Sequence, residues 1–243
     1  MIPLHDDNPT TIPPVVTVGI IVLCAAVFLW QLTLSPNAEQ IAVYSYGVVP
    51  ALLVGGEPRP SELVQIPAWL PVLTSMFLHG GWLHIIGNML YLWIFGNNIE
   101  DSMGHVRFVI FYLLCGTAAA LTQSYLSVHS DAPMIGASGA IAGVLGAYAV
   151  LYPRAHVLVL VPLGFFSQVM RLPALLVLGF WFVLQFLQGS TAPSGEGGVA
   201  YWAHIGGFVA GVLLIFLFRR RTMAWPPRRA PRNPWGRRRG PWD

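Results

Sequence analysis

Two side chains in this sequence are suited to nucleophilic chemistry, Ser138 and His204. Ser138 opens a short apolar segment within a Gly-Ala-Ser-Gly run, and His204 lies in a later apolar segment within an Ala-His-Ile-Gly-Gly run. A serine hydroxyl becomes a nucleophile when an adjacent imidazole takes its proton. Because both residues are embedded in apolar sequence, the pair predicts acyl transfer and hydrolysis inside a lipid bilayer.

Further polar groups of this sequence are suited to stabilising the oxyanion that forms when a serine attacks a carbonyl group. His84 and Asn88 are four residues apart, so on a helix they share one face and both can donate to the same developing oxyanion. A helix that begins near Ser138 also leaves its first backbone amides unpaired and carries partial positive charge there. The alternative for His84 and Asn88 is a hydrogen-bonded pair that only joins two helices.

The composition is that of a chain solvated mainly by lipid. Hydrophobic residues make up 55% and charged residues 9% of the sequence, and the mean hydropathy is +0.63. A spanning helix needs about 20 apolar residues, and about six segments of this kind occur. They lie near residues 15–34, 80–99, 106–126, 136–152, 170–188 and 199–218. The predicted fold class is an all-α membrane protein, a six-helix bundle with a short fourth helix.

The arginines orient this bundle. All 13 basic side chains are arginines, and nine of them follow Phe218, which predicts a cytoplasmic C-terminus. With six crossings, the N-terminus is cytoplasmic as well. The predicted organisation is a cytoplasmic segment at 1–14, a transmembrane domain at 15–218 with outer loop one at 35–79, and a disordered Arg/Pro-rich tail at 219–243.

The sequence predicts few partners other than lipid and membrane proteins. We expect the tail to contact anionic lipid headgroups, the alternative being nucleic-acid binding, which is not expected. The two cysteines, Cys24 and Cys115, fall in the middle of predicted helices. They do not favour a disulfide or a metal site there, and no cofactor is predicted.

The predicted topology brings the polar residues to one depth. Helices two, four and six run in the same direction, so their N-terminal turns form one layer, which contains His79, His84, Asn88, Ser138 and His204. Small residues on helices four and six favour closely spaced helix axes, which brings the serine hydroxyl within reach of the imidazole. The alternative is that these small residues, and a histidine bonded across helices, only pack the bundle.

These residues together resemble the rhomboid family of intramembrane serine proteases. The resemblance rests on Gly136-Ala137-Ser138-Gly139, Ala203-His204-Ile205-Gly206-Gly207 with Gly211, His79, His84-x-x-x-Asn88 and Gly96-x-x-x-Glu100-x-x-x-Gly104. It implies that Ser138 is the nucleophile and His204 the general base of a dyad without a carboxylate. It also implies an oxyanion hole made by His84, Asn88 and the Ser138 backbone N–H.

The resemblance implies supporting roles for further residues. His79 is expected to be structural or to retain water, Glu100 to tie the inner end of helix two to a neighbouring loop, and the glycines Gly136, Gly139, Gly207 and Gly211 to allow close packing. Two positions depart from the family pattern. Leu70 and Pro71 stand where a Trp-Arg pair is usual, and Ala142 replaces an aromatic residue that supports the histidine. We therefore expect Trp202 or Tyr201 to orient His204.

The predicted function is that of an intramembrane serine endopeptidase that cleaves transmembrane segments of other membrane proteins. One alternative is a catalytically silent protein of the same fold that binds membrane clients, and another is a transporter, which the absence of internal repeats disfavours. Arginine used without lysine is typical of GC-rich genomes, so the predicted location is a bacterial inner membrane.

Overall fold

The computed structural model describes residues 1–163, 166–191 and 199–220 and is mostly helical. Its helices are α1 (Val15–Gln31), α2 (Pro36–Tyr46), α3 (Pro50–Leu53), α4 (Leu70–Thr74), α5 (Trp82–Tyr91), α6 (Asn97–Met103), α7 (His105–Leu126), α8 (Ser138–Leu151), α9 (Ala174–Thr191) and α10 (Tyr201–Phe218). Among the described residues, α7, α9 and α10 are long and apolar enough to cross a membrane, while α1 and α8 are apolar but shorter. The number of crossings stays a prediction.

The predicted second helix is divided into three parts. After α5, the residues Leu92–Gly96 form a π-helical stretch that continues directly into α6. The longer turn of a π-helix changes which side chains follow one another along the helix face. A single helix over 80–99 was therefore an oversimplification, although the polar residues His84 and Asn88 both lie in α5.

The short helix α8 is the most enclosed element around the predicted nucleophile. Its 14 residues rise about 21 Å, and twelve of them are buried, so it is surrounded by protein rather than lipid. A Cβ atom added to Gly207 of α10 would collide with the carbonyl oxygen of Gly139, and one added to Gly211 would collide with that of Gly143. Helices α8 and α10 thus meet backbone to backbone, as the small residues predict.

The fold is not all-α, because the described residues include a three-stranded antiparallel sheet. Strand β1 (Ile2–Asp6) pairs with β2 (His156–Leu163), which pairs with β3 (Phe166–Pro173). The predicted fifth transmembrane helix corresponds to α9, which begins at Ala174 and not near residue 170. Alternating β-branched residues at Val157, Val159 and Val161 favour the strand observed there.

The N-terminal segment is attached to the end of the bundle away from Ser138. Tyr148 of α8 donates its hydroxyl to the Asp6 carboxylate at 2.5 Å, and the Thr11 hydroxyl donates to Asp101 at 2.7 Å. Burial raises the pKa of Asp6 to about 7, although the Tyr148 hydrogen bond acts in the opposite direction. The cytoplasmic location of this segment stays a prediction, and the predicted tail lies outside the described residues from position 221 onward.

The segment predicted as outer loop one, residues 35–79, is structured and is fixed at two points. The Thr74 hydroxyl donates to the Tyr46 carbonyl at 2.6 Å, and the Arg59 guanidinium donates to the Ser45 carbonyl at 2.6 Å. After α4, the residues Ser75–Phe77 form a 3₁₀ turn that leads to His79, which precedes α5. These two bonds hold the loop in a sequence that has Leu70 and Pro71 in place of the usual Trp-Arg pair.

Candidate active site

The structure brings Ser138 and His204 into direct contact. Ser138 is the first residue of α8, and His204 lies in the first turn of α10. The distance from Ser138 Oγ to His204 Nε2 is 2.8 Å, within the range of an O–H···N hydrogen bond. His204 is 9% exposed, so the imidazole has little access to solvent except through the serine side. The close approach of α8 and α10 at Gly139 and Gly207 holds the two side chains at this distance.

The side chains that orient His204 were not predicted. Gln185 of α9 accepts a hydrogen bond from His204 Nδ1 with its amide oxygen, at 2.6 Å. The Trp181 ring lies one helical turn earlier on α9, with its centroid 5.7 Å from that of the imidazole. Of the two residues expected to orient His204, Trp202 packs its ring on Phe186 instead, and the role of Tyr201 stays a prediction.

The Gln185 contact determines which nitrogen of His204 acts as a base. An amide oxygen only accepts hydrogen bonds, so Nδ1 carries the proton and Nε2 presents its lone pair to the serine hydroxyl. Gln185 is itself 9% exposed. The signal was present in the sequence, because a glutamine in the middle of an apolar helix needs a partner in the bundle.

His84 and Asn88 of α5 converge on the backbone just before the serine. Gly136 has φ of +120°, and a Cβ atom there would lie 2.6 Å from His84 Nε2, so only glycine fits. The Gly80 amide donates to His84 Nδ1 at 3.3 Å, which places the proton of a neutral ring on Nε2. The Asn88 Nδ2 atom is buried and has no hydrogen-bond partner within the described residues. The Nε2–H of His84 and the Nδ2 amide of Asn88 are therefore both available as hydrogen-bond donors beside Ser138.

His79 supports His84 rather than the dyad. It is fully buried, and its ring packs edge-on against that of His84 with centroids 5.2 Å apart. Gln31, at the end of α1, fixes its backbone: the His79 amide donates to Gln31 Oε1 at 2.9 Å, and Gln31 Nε2 donates to the His79 carbonyl at 3.1 Å. Gln31 was missed in the sequence for the same reason as Gln185.

Glu100 lies far from the dyad. Its carboxylate accepts from the Val16 and Thr17 amides at 2.9 and 2.8 Å, at the start of α1, whereas Gln31 marks the other end of that helix. His105 Nδ1 is 2.6 Å from the same carboxylate. Glu100 thus joins α6 to the N-termini of α1 and α7, where a carboxylate complements the helix dipole, and not to a loop.

A cleft opens beside Ser138. Small residues line much of it, namely Gly116, Ala119, Ala120, Ala140, Ala200 and Ala203, and the larger side chains of Val48, Met76, Met134 and Ile135 line it as well. The non-helical backbone that borders this cleft is paired at Val48 and Met134, which exchange two backbone hydrogen bonds of 3.0 and 2.7 Å. Irregular backbone in a membrane protein is stable where its polar groups have partners in protein, as these two residues do.

Known proteins that resemble this chain support one family. Rhomboid-like protein 11, chloroplastic, of Arabidopsis thaliana is 28% identical over 166 residues, which cover 64% of this chain and 55% of that protein. Rhomboid protease GluP of Bacillus subtilis is 41% identical over 96 residues, covering 39% of this chain and 18% of that protein. Rhomboid protein 1, mitochondrial, of Saccharomyces cerevisiae is 30% identical over 154 residues, covering 59% and 40%.

The chain thus spans less than two thirds of the length of each of these relatives. Their names include a chloroplastic and a mitochondrial protein, so they do not support a bacterial inner membrane in particular. With its long apolar helices, the chain is an integral membrane protein. Residues 67–221 match the family model described as Rhomboid domain, which is more than half of the sequence, and the chain therefore belongs to the rhomboid family.

Proposed function

We propose that this chain is an intramembrane serine endopeptidase that cleaves transmembrane segments of other membrane proteins within a six-helix rhomboid bundle. The observation that carries the proposal is the 2.8 Å contact between Ser138 Oγ and His204 Nε2, with Nδ1 fixed by Gln185 at 2.6 Å. A nucleophile, a base and a group that orients the base are the arrangement that activates a serine. The neutral amide of Gln185 takes the orienting place that a carboxylate has in a triad.

In the proposed reaction, Ser138 Oγ attacks the carbonyl carbon of the scissile peptide bond while His204 Nε2 takes the hydroxyl proton. The tetrahedral intermediate collapses when His204 returns that proton to the leaving amine, and an acyl-enzyme remains on Ser138. A water molecule, deprotonated by the same nitrogen, then attacks the ester and regenerates the hydroxyl. Proton transfer of this kind accelerates reactions by about 10²–10⁴-fold.

The oxyanion of the intermediate is proposed to bind three donors. They are Asn88 Nδ2, which is buried without a partner in the described residues, the Nε2–H of His84, and the backbone N–H of Ser138 at the start of α8. Donors of this kind are already oriented before the reaction, so they stabilise charge without reorganisation. An unpaired buried donor such as Asn88 Nδ2 is costly, and a substrate oxygen would satisfy it.

The cleft beside Ser138 supports small residues at the cleavage site. The glycines and alanines in its lining leave space next to the nucleophile, and the larger Met76, Met134 and Ile135 limit that space to a short substrate side chain. A helical substrate must unwind locally before its carbonyl reaches Ser138, because helical hydrogen bonds otherwise shield the peptide bond. Substrates with helix-weakening Gly or Pro near the bond are therefore expected.

Cleavage of a single-span substrate in liposomes tests the proposal. The wild-type chain and Ser190→Ala, a control serine that only bonds its own helix, should cut the substrate, whereas Ser138→Ala should not. If all three cut equally, another nucleophile is responsible. The alternative of a silent protein that binds clients predicts that the substrate is retained but not cut by the wild type.

A further inference from the structure

The β2–β3 hairpin has two chemically different faces. In an antiparallel pair, residues opposite each other point to the same side, and Val157 pairs with Leu172, Val159 with Met170. The face that contains these residues, here termed the bundle face, consists of Val157, Val159, Val161, Phe166, Gln168, Met170 and Leu172. The opposite face carries the polar residues Ser167 and Arg171 beside the apolar residues Leu158, Leu160 and Val169, of which Val169 is 52% exposed. The bundle face is the more apolar one, because Gln168 is the one polar side chain among its described residues.

The exposure of the bundle face increases along the hairpin. Val157 and Val159 are 0% exposed, since they pack on the helices. Met170 is 37% exposed, and Phe166, at the far end of β3, is 80% exposed. The hairpin therefore extends past the edge of the bundle, and its apolar face continues over space that no described residue fills.

The end of the hairpin away from the overhang joins a surface that faces lipid. Strand β3 ends at Pro173 and α9, a helix long and apolar enough to span, begins at Ala174. The first turns of α9 expose Leu175 at 53% and Leu176 at 60%. Lipid that covers these side chains therefore borders the hairpin at the end where Val157 pairs with Leu172, a few residues after the C-terminal end of α8.

Charge and backbone chemistry limit how deep the hairpin lies. The segment 156–173 contains no aspartate or glutamate, and Arg171 is its one arginine, on the face away from the bundle face. Strand β3 is an edge of the sheet among the described residues, so half of its backbone groups have no strand partner there. Such groups are too costly in the hydrocarbon core but find water and headgroups at the interface.

We propose that the overhang of the bundle face, Val161, Phe166 and Met170, rests on the acyl-chain boundary of the membrane leaflet at the C-terminal end of α8. Arg171 then lies at the level of the lipid phosphates, which attract it. The sheet is in this way a second, interfacial contact with lipid beside the helices. The proposal does not depend on proteolytic activity.

Nitroxide labels on the full-length protein test the proposal. Phe166→Cys and Met170→Cys sample the overhang, Ser167→Cys is the matched control on the opposite face, Leu176→Cys reports lipid, and Glu57→Cys reports water. Native Cys24 and Cys115 are both 0% exposed, and the labelled unsubstituted protein gives their background. Each variant is reconstituted in phosphatidylcholine and phosphatidylglycerol vesicles. The accessibility of each label to oxygen and to a water-soluble nickel chelate is then measured by electron paramagnetic resonance.

The labels at 166 and 170 should resemble the one at 176, with oxygen access several-fold above nickel access. The label at 167 should show the reverse and resemble the one at 57. Nickel access at both 166 and 170 equal to that at 57 would overturn the proposal and would indicate that the face is open to water or to another protein. Equal values at 166 and 167 would overturn the proposed orientation.

Discussion

Replacing Gln185 by methionine removes the one acceptor that His204 Nδ1 has among the described residues, while it keeps a similar side-chain volume. The lost bond is 2.6 Å long and lies between two side chains that are each 9% exposed. Water has little access to the freed N–H, so the imidazole loses both its hydrogen bond and the tautomer that presents Nε2 to Ser138.

The magnitude follows from the cost of an unpaired buried donor. Leaving such a group without a partner costs about 1–3 kcal/mol. If this cost appears in the transition state, kcat/KM falls roughly 5- to 150-fold. Gln185 does not line the cleft beside Ser138, so the loss should appear in kcat with KM little changed.

The assay is cleavage of a single-span substrate in liposomes at several substrate concentrations. Gln188→Met, an exposed glutamine on the same helix, is the matched control and should retain wild-type kcat. Thermal unfolding in micelles separates lost activity from lost folding. A Gln185→Met enzyme with wild-type kcat, or one whose defect lies in KM alone, would refute the role assigned to Gln185.

Three further predictions concern other contacts. Gly211→Ala places a methyl group on the carbonyl of Gly143 and should lower the unfolding temperature and the activity together, whereas unchanged unfolding would contradict the backbone contact. Asn88→Ala should reduce kcat with the unfolding temperature unchanged or raised, since Asn88 Nδ2 has no partner to lose in the described residues; an unaffected kcat would exclude it from the oxyanion hole. Burial raises the pKa of the Asp6 carboxyl from 3.8 to about 7 in the folded protein. Its contribution to the free energy of unfolding is therefore fully present below about pH 3.8 and is lost as the pH rises through about 7. The total loss is up to about 4 kcal/mol. Unfolding measured from about pH 5 to pH 8 should therefore show a decline that Asp6→Asn removes, and an identical decline in both proteins would argue against it.

The Ser138–His204 pair could be predicted from the sequence because the local patterns around each residue correspond to helix starts in the structure. Ser138 begins α8 and His204 lies in the first turn of α10, where glycine-rich faces let the two helices touch. To predict that Ser138 and His204 meet, and that α8 and α10 touch, it is enough to expect that both helices begin at the same depth in the bundle. The boundaries of α7, α8 and α10 were predicted within about two residues for the same reason, as long apolar periods are the strongest signal.

The sequence did not predict features that depend on pairing between distant segments. The sheet joins Ile2–Asp6 to His156–Leu163, and nothing local shows that the first strand has a partner so far along the chain. Gln185 and Gln31 were missed because an amide in an apolar helix shows that a partner exists but not which one. In both cases the tertiary contact, rather than the local propensity, decides the role of the residue.

The central claim is that His204 makes Ser138 a nucleophile. A fluorophosphonate probe applied to the protein in membranes, followed by mass spectrometry of the adduct, measures this directly. The wild type should carry one adduct on Ser138, and neither Ser138→Ala nor His204→Ala should react. Equal labelling of all three proteins would contradict the account.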